Sequence, residues 1–310
     1  MMDAQENDFE EIDSLVSLKR VETPTRWSPM KGDEYAAAYA TVEKIPSGLY
    51  EIRWNPNLQS HVLKGLPMQV DELYALPSAE ISAILEDIAR FWERRAVYQE
   101  YNFVHKRGIL LYGEPGCGKS GIIQLCVKHI IEQKSGIVIN IKDEEEVKFF
   151  SDFIGTIKSI EPERPIIVIL EDIDSLAGED RYSTTKLLNI LDGIKQVDNI
   201  VYIATTNYPE KLQERITNRP SRFDRRYQVE MPSAEIREAY IRAKLKDADL
   251  QKIDLPTWLE QTDGMSLSHL KELVVSVVVL GKSFDDAILH LSNLKKSPKI
   301  SKKSNLGFKN

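Results

Sequence analysis

The sequence predicts an α/β fold in which a parallel β-sheet is covered by helices on both faces. From residue 107 onward, strand-like apolar runs alternate with helix-like stretches, as in a sheet built from β–α–β units. The five runs span residues 108–112, 137–141, 166–170, 200–204 and 226–229. A glycine-rich octet follows the first run, and two acids follow the third. Because such sheets bind ligands at the carboxyl ends of their strands, we expect the functional site there.

Composition places the chain among ordinary globular proteins. Its 310 residues, 42% of them apolar, suffice for two or three compact units. No stretch approaches the roughly 20 uninterrupted apolar residues of a membrane span, and the acidic start is unlike a secretory signal. The two cysteines, Cys117 and Cys126, suit reduced thiols better than a disulfide. We therefore expect a soluble protein of the cytoplasm, whose net charge of −7 gives no general attraction to nucleic acid.

The distribution of prolines, charges and apolar residues along the chain predicts four regions. Residues 1–77 combine an acidic tail with short extended segments between prolines, which indicates a small β-rich region that docks a partner or cargo. Residues 78–232 contain the sheet, preceded by a helix predicted from an N-cap at Ser78 to about Arg95. Residues 233–294 predict an all-helical lid subdomain, with helices at 234–246, 256–261, 266–280 and 283–294. Residues 295–310 form a basic, flexible tail.

The octet at residues 113–120 matches the phosphate-binding loop pattern G-x-x-x-x-G-K-[ST], also called Walker A. Glycines suit such a loop because backbone N–H groups must close around phosphate oxygens, and the following helix adds its N-terminal partial charge. We expect Lys119 to reach the β- and γ-phosphates and the Ser120 hydroxyl to bind Mg²⁺. The residues predicted to bind nucleotide are Gly113, Glu114, Pro115, Gly116, Cys117, Gly118, Lys119, Ser120 and Gly121.

Two acids, Glu171 and Asp172, directly follow the apolar run at residues 166–170. A phosphate-loop enzyme uses such a strand end, called Walker B, to hold Mg²⁺ and to polarise the attacking water. By position, Glu171 supports the metal and Asp172 orients the water. The common order of this pair is Asp before Glu, and here the order is reversed. The division of roles between the two acids therefore stays open at this point.

Two further segments resemble motifs of the AAA (AAA+) ATPases. Residues 204–207, Ala-Thr-Thr-Asn, resemble the strand end that carries the sensor-1 asparagine, here Asn207. Residues 218–225 resemble the second region of homology, with Ser221 where that family commonly has Gly. The resemblance runs from about residue 107 through the helical lid. It implies a three-layer phosphate-loop sandwich with a five-stranded parallel sheet, ATP and Mg²⁺ as cofactors, ATP hydrolysis, and a homo-oligomeric ring, usually a hexamer.

The resemblance also implies roles for single residues. In the family, the arginines that match Arg219 and Arg222 reach the neighbouring subunit's site, where one or both stabilise charge on the transferring phosphoryl group. The asparagine that matches Asn207 positions the water or the γ-phosphate. The simpler alternative places Arg222 and Arg225 in surface ion pairs with Asp224 and other acids. For Asn207, the simpler alternative is a turn residue.

Two finer likenesses accompany these motifs. Residues 264–270 resemble the family's lid motif, whose backbone lies near the adenine, although Leu267 and His269 depart from the pattern. The order of Glu171 and Asp172 and the lead-in at residues 91–113 look most like the branch that contains the mitochondrial assembly-factor ATPase of respiratory complex III. That branch member carries a membrane anchor, which we do not expect in this chain. The likeness therefore predicts a related ATPase motor and does not indicate which molecule that motor acts on.

Protein-unfolding members of the family usually grip an extended polypeptide with an aromatic residue, an apolar residue and a glycine after the second strand. This chain has a charged segment at residues 142–146 there, and we predict Phe149 and Phe150 to be buried in the next helix. The favoured function is an ATP-driven remodelling of a protein or protein complex. Residues 1–77 are then the dock for a client or adaptor, and threading through the ring stays open.

The alternative is a nucleic-acid-directed ATPase, such as a loader or a replication accessory. Its candidate contacts are the lysine-rich tail and the basic residues Arg90, Arg94, Arg95, Lys106 and Arg107. Charges of this kind more often form a solvated helix face. This alternative predicts binding that weakens steeply with salt and turnover that polynucleotides stimulate.

Overall fold

The computed structural model describes residues 26–29, 35–38, 42–56, 58–67, 79–176, 181–192, 197–212 and 221–295. The predicted acidic tail, the N-cap at Ser78, Arg219 and residues 296–310 lie outside the described residues. The chain divides into two compact units, Met1–Pro46 and Ser47–Asn310. In the first unit, β1 (Arg26–Pro29) pairs antiparallel with β2 (Tyr35–Ala38).

The second unit is built on a twisted, mainly parallel sheet, which confirms the predicted α/β class. Seven strands of the described chain form this sheet, in the order β4-β3-β6-β7-β8-β5-β9. They are β3 (Gly48–Asn55), β4 (Ser60–Leu66), β5 (Lys106–Tyr112), β6 (Ile137–Ile141), β7 (Ile166–Leu170), β8 (Ile200–Thr206) and β9 (Arg225–Gln228). Every neighbouring pair is parallel except β3 and β4. All five predicted strands are present, and the sheet is two strands wider than predicted.

The two additional strands come from the region predicted to be separate. β3 pairs in parallel with β6, with Tyr50 opposite Ile139, and it buries Tyr50 and Ile52. Burial of these side chains requires the apolar surface of the main sheet, since a two-stranded hairpin is marginally stable in water. The predicted boundary at residue 77 is therefore wrong for residues 48–66, and the compact unit begins at Ser47.

Helices cover the sheet and supply its core. They are α1 (Ala79–Glu93), α2 (Arg95–Glu100), α3 (Lys119–Lys134), α4 (Glu144–Ile160), α5 (Ile173–Leu176) and α6 (Arg181–Asp192). The predicted apolar stripe of α1 is part of the core. Ile84, Ile88 and Phe91 are buried in one cluster with apolar side chains of α3 and of the strands. Phe150 in α4 is buried as predicted, whereas Phe149 is partly buried against the His61 ring.

A helical lid follows β9 and has its own core. Its helices are α7 (Ala234–Lys244), α8 (Asp247–Leu250), α9 (Leu255–Gln261), α10 (Leu267–Val274) and α11 (Phe284–Lys295), with a π-helical turn at Val275–Val279. Trp258 stacks on Phe284 at a ring distance of 5.1 Å, within an apolar cluster that includes Ile241 and Leu273. The π turn forms the C-terminal end of the helix that was predicted over residues 266–280. In the part of the chain that the structure describes, no helix combines the length and hydropathy that crossing a bilayer requires.

Candidate nucleotide site

The predicted phosphate loop joins the end of β5 to the start of α3, at the carboxyl end of the sheet. Gly116 and Gly118 have φ values of 80° and 109°, in the left-handed region that side chains disfavour. A Cβ on Gly116 would also lie 2.7 Å from the Ser266 hydroxyl oxygen of the lid. The loop therefore requires glycine here both for its backbone conformation and for the close approach of the lid. α3 begins at Lys119, within the octet itself.

Lys119 is 7% exposed, and its ammonium lies inside the loop. Nζ donates to the carbonyl oxygens of Gly113 at 2.8 Å and Glu114 at 3.0 Å, and to Asn207 Oδ1 at 2.6 Å. Burial lowers the pKa of this ammonium, while the nearby charges, Asp172 among them, act in the opposite direction. The structure therefore holds a cation at the loop by neutral oxygen acceptors.

Asn207 joins this lysine to one of the two acids. Its Oδ1 accepts from Lys119, and its Nδ2 donates to Asp172 Oδ1 over 3.3 Å. The contact follows from the topology, because Asp172 comes after β7, Asn207 comes after β8, and these parallel strands are neighbours. Asp172 has a φ of 48° and is thus a non-glycine residue in the left-handed region. The lysine, the acid and the asparagine singled out in the sequence lie together.

Glu171 lines the same cavity. Partial burial of its carboxyl group raises the pKa of Glu171, and the nearby charge of Asp172 raises it further. Both effects disfavour the ionised form, whereas a divalent cation at this carboxylate would favour it. Among the described residues, no cluster of three or more His, Cys, Asp and Glu side chains is grouped for a metal. A hydroxyl, a carboxylate, phosphate oxygens and water are nevertheless the ligand set that Mg²⁺ prefers, and Ser120 and Glu171 fit it.

The cavity between the loop, the acids and the lid measures about 350 Å³. This volume falls in the range of small-molecule sites, about 300–1,000 Å³. Six of the nine predicted loop residues line it, namely Pro115, Gly116, Gly118, Lys119, Ser120 and Gly121. Of the other three, Gly113 and Glu114 bond Lys119 through their carbonyls, and Cys117 is buried, with its Sγ 3.6 Å from Met231 Sδ.

Three lining residues were not predicted from the sequence: Thr205, Tyr240 and Lys271. Tyr240 lies in α7 and Lys271 in α10, more than 100 positions after the loop, so no local motif connects them to it. The available signal for Lys271 was its position directly after the lid motif at residues 264–270. Thr205 lies within the segment at residues 204–207, in which only Asn207 was given a role.

The lid touches the loop directly. The backbone N–H of Ser268 donates to the Gly116 carbonyl over 3.3 Å, and Leu267 and Ser268 both line the cavity. His269, the second departure from the lid motif, is bonded through Nδ1 to the Ser266 hydroxyl at 2.6 Å. The two departures from the family pattern therefore lie in a segment that closes over the phosphate loop.

Arg222 does not line this cavity. It is 7% exposed, and its Nε lies 3.7 Å from Asp192 Oδ2 at the end of α6. The Arg222 carbonyl packs against β5, where a Cβ on Gly108 would lie 1.7 Å from it. Asp224 accepts from the Gly108 N–H at 3.0 Å and from Arg107 Nε at 3.0 Å. The arginine segment is thus fixed to the strand that leads into the phosphate loop.

A larger groove of about 660 Å³ lies between α1 and β9. Its central carboxylate, Asp87, is already engaged by Arg107 at 3.5 Å, by Arg225 at 3.3 Å and by the Tyr227 hydroxyl at 3.2 Å. This groove contains none of the phosphate-loop residues or the two acids. The smaller cavity is therefore the candidate site, and Arg225 forms the kind of ion pair that the simpler alternative describes.

A strand that runs into a glycine loop, a lysine held within that loop, and an acid and an asparagine at neighbouring strand ends define a phosphate-loop nucleotide-binding domain. Residues 109–231 match the ATPase family associated with various cellular activities, AAA. This stretch of the chain therefore matches the AAA family model, in agreement with the resemblance that its motifs predict. The finer likeness to one branch of that family stays a prediction.

Three relatives illustrate what the chain is similar to. It is 29% identical over 219 residues to a cell division cycle ATPase of Plasmodium falciparum, covering 66% of this chain and 17% of that protein. It is 27% identical over 250 residues to the proteasome-activating nucleotidase of Thermococcus onnurineus, covering 75% and 59%. It is 28% identical over 237 residues to the ATP-dependent zinc metalloprotease FtsH 1 of Methylacidiphilum infernorum, covering 68% and 36%. In each case, the match spans less than two thirds of the relative's length.

Proposed function

We propose that the protein hydrolyses ATP, with Mg²⁺, in the cavity between the phosphate loop and the lid. The observation that carries this proposal is the contact series from Lys119 through Asn207 to Asp172. A phosphate-binding cation and a water-orienting carboxylate are thereby held on either side of one polar side chain. Such positioning supplies most of the catalysis in phosphoryl transfer, where the protein does little covalent chemistry.

In this proposal, the loop N–H groups and Lys119 bind the phosphates, and Asn207 orients the γ-phosphate or the water. Asp172 accepts a hydrogen bond from the attacking water, because its carboxylate is the one bonded to Asn207. Ser120 and Glu171 hold Mg²⁺, which neutralises charge on the phosphate oxygens when it is bound. The geometry thus supports the division of roles that position alone suggested, in spite of the reversed order of the acids.

We further propose that the chain acts as a homo-oligomeric ring, with six subunits as the family resemblance implies. Arg219 and Arg222 would then serve the site of the neighbouring subunit. The position of Arg222 outside its own chain's cavity supports this role, since a residue acting in trans has no place there. The Arg222 guanidinium contacts Asp192 in the single chain, so its role in trans requires it to exchange this partner for the neighbouring site.

The proposed work of this motor is the remodelling of a protein or protein complex. Two of the relatives are named for a proteasome and for a protease, which supports polypeptides as clients. The connection from β6 to α4 consists of Lys142 and Asp143, and both are engaged locally. Lys142 Nζ donates to Glu51 at 2.9 Å, and Asp143 caps α4 by accepting from Glu146 at 2.8 Å. This short connection supports a client dock elsewhere, and the part of residues 1–77 that precedes the sheet, residues 1–46, remains our candidate for it.

The nucleic-acid alternative receives less support from the basic residues. Arg95 pairs with Glu163 and Asp198, and Arg107 pairs with Asp87 and Asp224. Lys106 donates to the Leu191 carbonyl at 2.7 Å. These charges are engaged within the chain, so they contribute less to binding phosphate backbones.

The proposal is tested by phosphate release from ATP, measured with Mg²⁺ and with a chelator. We expect turnover that requires the metal, that a protein client stimulates, and that DNA or RNA leaves unchanged. Affinity capture with Asp172→Asn protein in ATP should retain the client. Turnover that polynucleotides stimulate, with binding that weakens steeply with salt, would instead favour the alternative. Absence of metal-dependent hydrolysis would contradict both.

A further inference from the structure

Thr205 contacts the backbone of the proposed water-orienting acid. Its Oγ1 accepts a hydrogen bond from the Asp172 N–H over 3.1 Å. We propose that Thr205 is a positioning residue for hydrolysis, which holds Asp172 so that its carboxylate faces Asn207. This inference rests on the proposed ATPase function, and it adds a residue that neither the motifs nor the family resemblance singles out.

The backbone of Asp172 needs such support. Its φ of 48° is in the left-handed region, which is uncommon for residues with a side chain, although Asp adopts it more readily than most, and local hydrogen bonds stabilise it there. On the carbonyl side, the Asp172 oxygen accepts from the Ser175 N–H at 2.8 Å, at the start of α5. On the amide side, the partner is the Thr205 hydroxyl. The strained turn between β7 and α5 is therefore held at both its N–H and its carbonyl.

The sheet register explains why a side chain must provide this contact. β7 pairs with β8 up to Leu170 opposite Ala204, and the ladder between these strands ends there. β8 continues beyond this point along β5, with Thr205 opposite Leu111. A backbone donor just past the last pair of β7 has lost its ladder partner and still needs an acceptor. The Thr205 hydroxyl, on a residue that is 4% exposed, supplies that acceptor from the adjacent strand.

Thr205 and Asn207 therefore hold Asp172 at two points from one strand end. Thr205 fixes its backbone N–H, and Asn207 contacts its carboxylate. Loss of the hydroxyl would leave the left-handed residue held at its carbonyl by Ser175 and at its carboxylate by the weaker 3.3 Å contact, so the carboxylate would face the reacting water less often. Substrate binding by Lys119 and the loop does not depend on this contact.

The first test compares Thr205→Val, which keeps the shape without an acceptor, with Thr205→Ser, which keeps the hydroxyl. We expect kcat to fall about tenfold in Thr205→Val, with the affinity for a fluorescent ATP analogue unchanged, and to recover in Thr205→Ser. An unchanged kcat in Thr205→Val would overturn the inference. A parallel loss of affinity would also overturn it, because it would make Thr205 a ligand contact.

A double-variant cycle separates positioning from general structure. If Thr205 acts through Asp172, Thr205→Val adds no further loss of kcat in the Asp172→Asn background. Multiplicative losses would contradict this. Should Thr205→Val fail to fold, Thr205→Ala is carried through the same cycle. A wild-type protein without ATPase activity would refute the proposed function itself, whereas normal turnover in Thr205→Val, beside slow turnover in Asp172→Asn, refutes only the positioning role.

Discussion

The Lys119 ammonium and the Asn207 side-chain oxygen lie 2.6 Å apart, across the mouth of the phosphate loop. The other two partners of this ammonium in the described part of the chain are backbone carbonyls, so all three acceptors are neutral. Asp172 is reached only through Asn207. An incoming phosphate therefore competes with neutral oxygens for the lysine and does not have to separate an ion pair. Exchange of a neutral acceptor for an anionic one strengthens the hydrogen bond, which favours nucleotide binding.

Lys119→Ala is expected to weaken ATP binding by about 10- to 100-fold, because a hydrogen bond to a charged group is worth about 1.5–3 kcal/mol. The measurement is a titration with a fluorescent ATP analogue. Lys128→Ala is the matched control, since this lysine lies on the same helix, exposed, 3.9 Å from Glu132. Equal affinity in Lys119→Ala and the control would show that the loop does not bind the nucleotide.

Asp172→Asn is expected to bind ATP with wild-type affinity and to hydrolyse it slowly. The amide retains the size of the side chain but loses the negative charge that orients the attacking water. Single-turnover phosphate release, measured at saturating ATP, isolates this step from binding. Asp249→Asn in the lid makes the same chemical change outside the cavity and should leave turnover unchanged. Rapid hydrolysis by Asp172→Asn would show that another residue orients the attacking water.

Glu171→Gln distinguishes the two acids. If Glu171 supports the metal, its loss should raise the Mg²⁺ concentration needed for half-maximal turnover, while ATP affinity in a chelator stays as in wild type. A titration of turnover against Mg²⁺ measures this shift. The reversed assignment predicts the opposite pattern, with slow hydrolysis at an unchanged Mg²⁺ requirement. The roles would then follow the residue types, with Glu171 orienting the water and Asp172 supporting the metal, and not the positions of the two acids.

Arg222→Ala tests the role in trans. In that variant we expect turnover to fall by a factor of about 10³ to 10⁵, the range found for arginine fingers. Mixing it with Lys119→Ala should restore part of the activity, because each variant then supplies the group that the other lacks. Arg225→Ala is the control, since this arginine pairs with Asp87 within its own chain. Mixed rings that stay inactive, while both variants remain folded, would contradict the role in trans.

The buried His105 predicts a loss of stability at mildly acidic pH. Burial lowers the pKa of His105 below its usual 6.5 in the folded state, although the Phe91 carbonyl and Asn199 oppose this shift. The unfolded chain therefore binds the extra proton first. The free energy of unfolding has its full value above pH 6.5. It declines as the pH falls from there toward the pKa of His105 in the folded state, by up to about 1.4 kcal/mol per pH unit.

Denaturant unfolding between pH 5 and 8 measures this slope. Burial also lowers the pKa of His129, so part of the slope will remain in His105→Gln. The His105→Gln profile should nevertheless be shallower than that of wild type. The control is His290→Gln, on the exposed side of α11. Parallel profiles for wild type and His105→Gln would show that this histidine is not the titrating group.

The sequence predicted the parts of the molecule in which local pattern and fold agree. The runs at residues 137–141 and 166–170 coincide with β6 and β7, because continuous apolar runs between helices have few other stable arrangements than a buried parallel strand. Lys119 and Asp172 were assigned from local motifs and Asn207 from the family resemblance, and the three lie together because the carboxyl ends of parallel strands meet at one edge of the sheet. In each case, a short-range signal was enough to place the residue.

Other contacts depend on pairings between distant segments. Nothing in residues 48–55 shows that β3 pairs in parallel with β6, some 90 positions later. The contact between Arg222 and Asp192 requires the end of α6 to meet the segment before β9. Thr205 looks like any β-branched strand residue until the end of the β7 ladder reveals a backbone donor beside it. Each of these features depends on register, which a local pattern does not encode.

The hydrogen atom that Gly108 has in place of a side chain lets the Arg222 carbonyl approach to a distance that no Cβ would permit. β5 and the arginine segment are consequently locked in step, and β5 runs directly into the phosphate loop. The absence of a methyl group at residue 108 thus couples the position of the phosphate loop to that of the segment that carries Arg222.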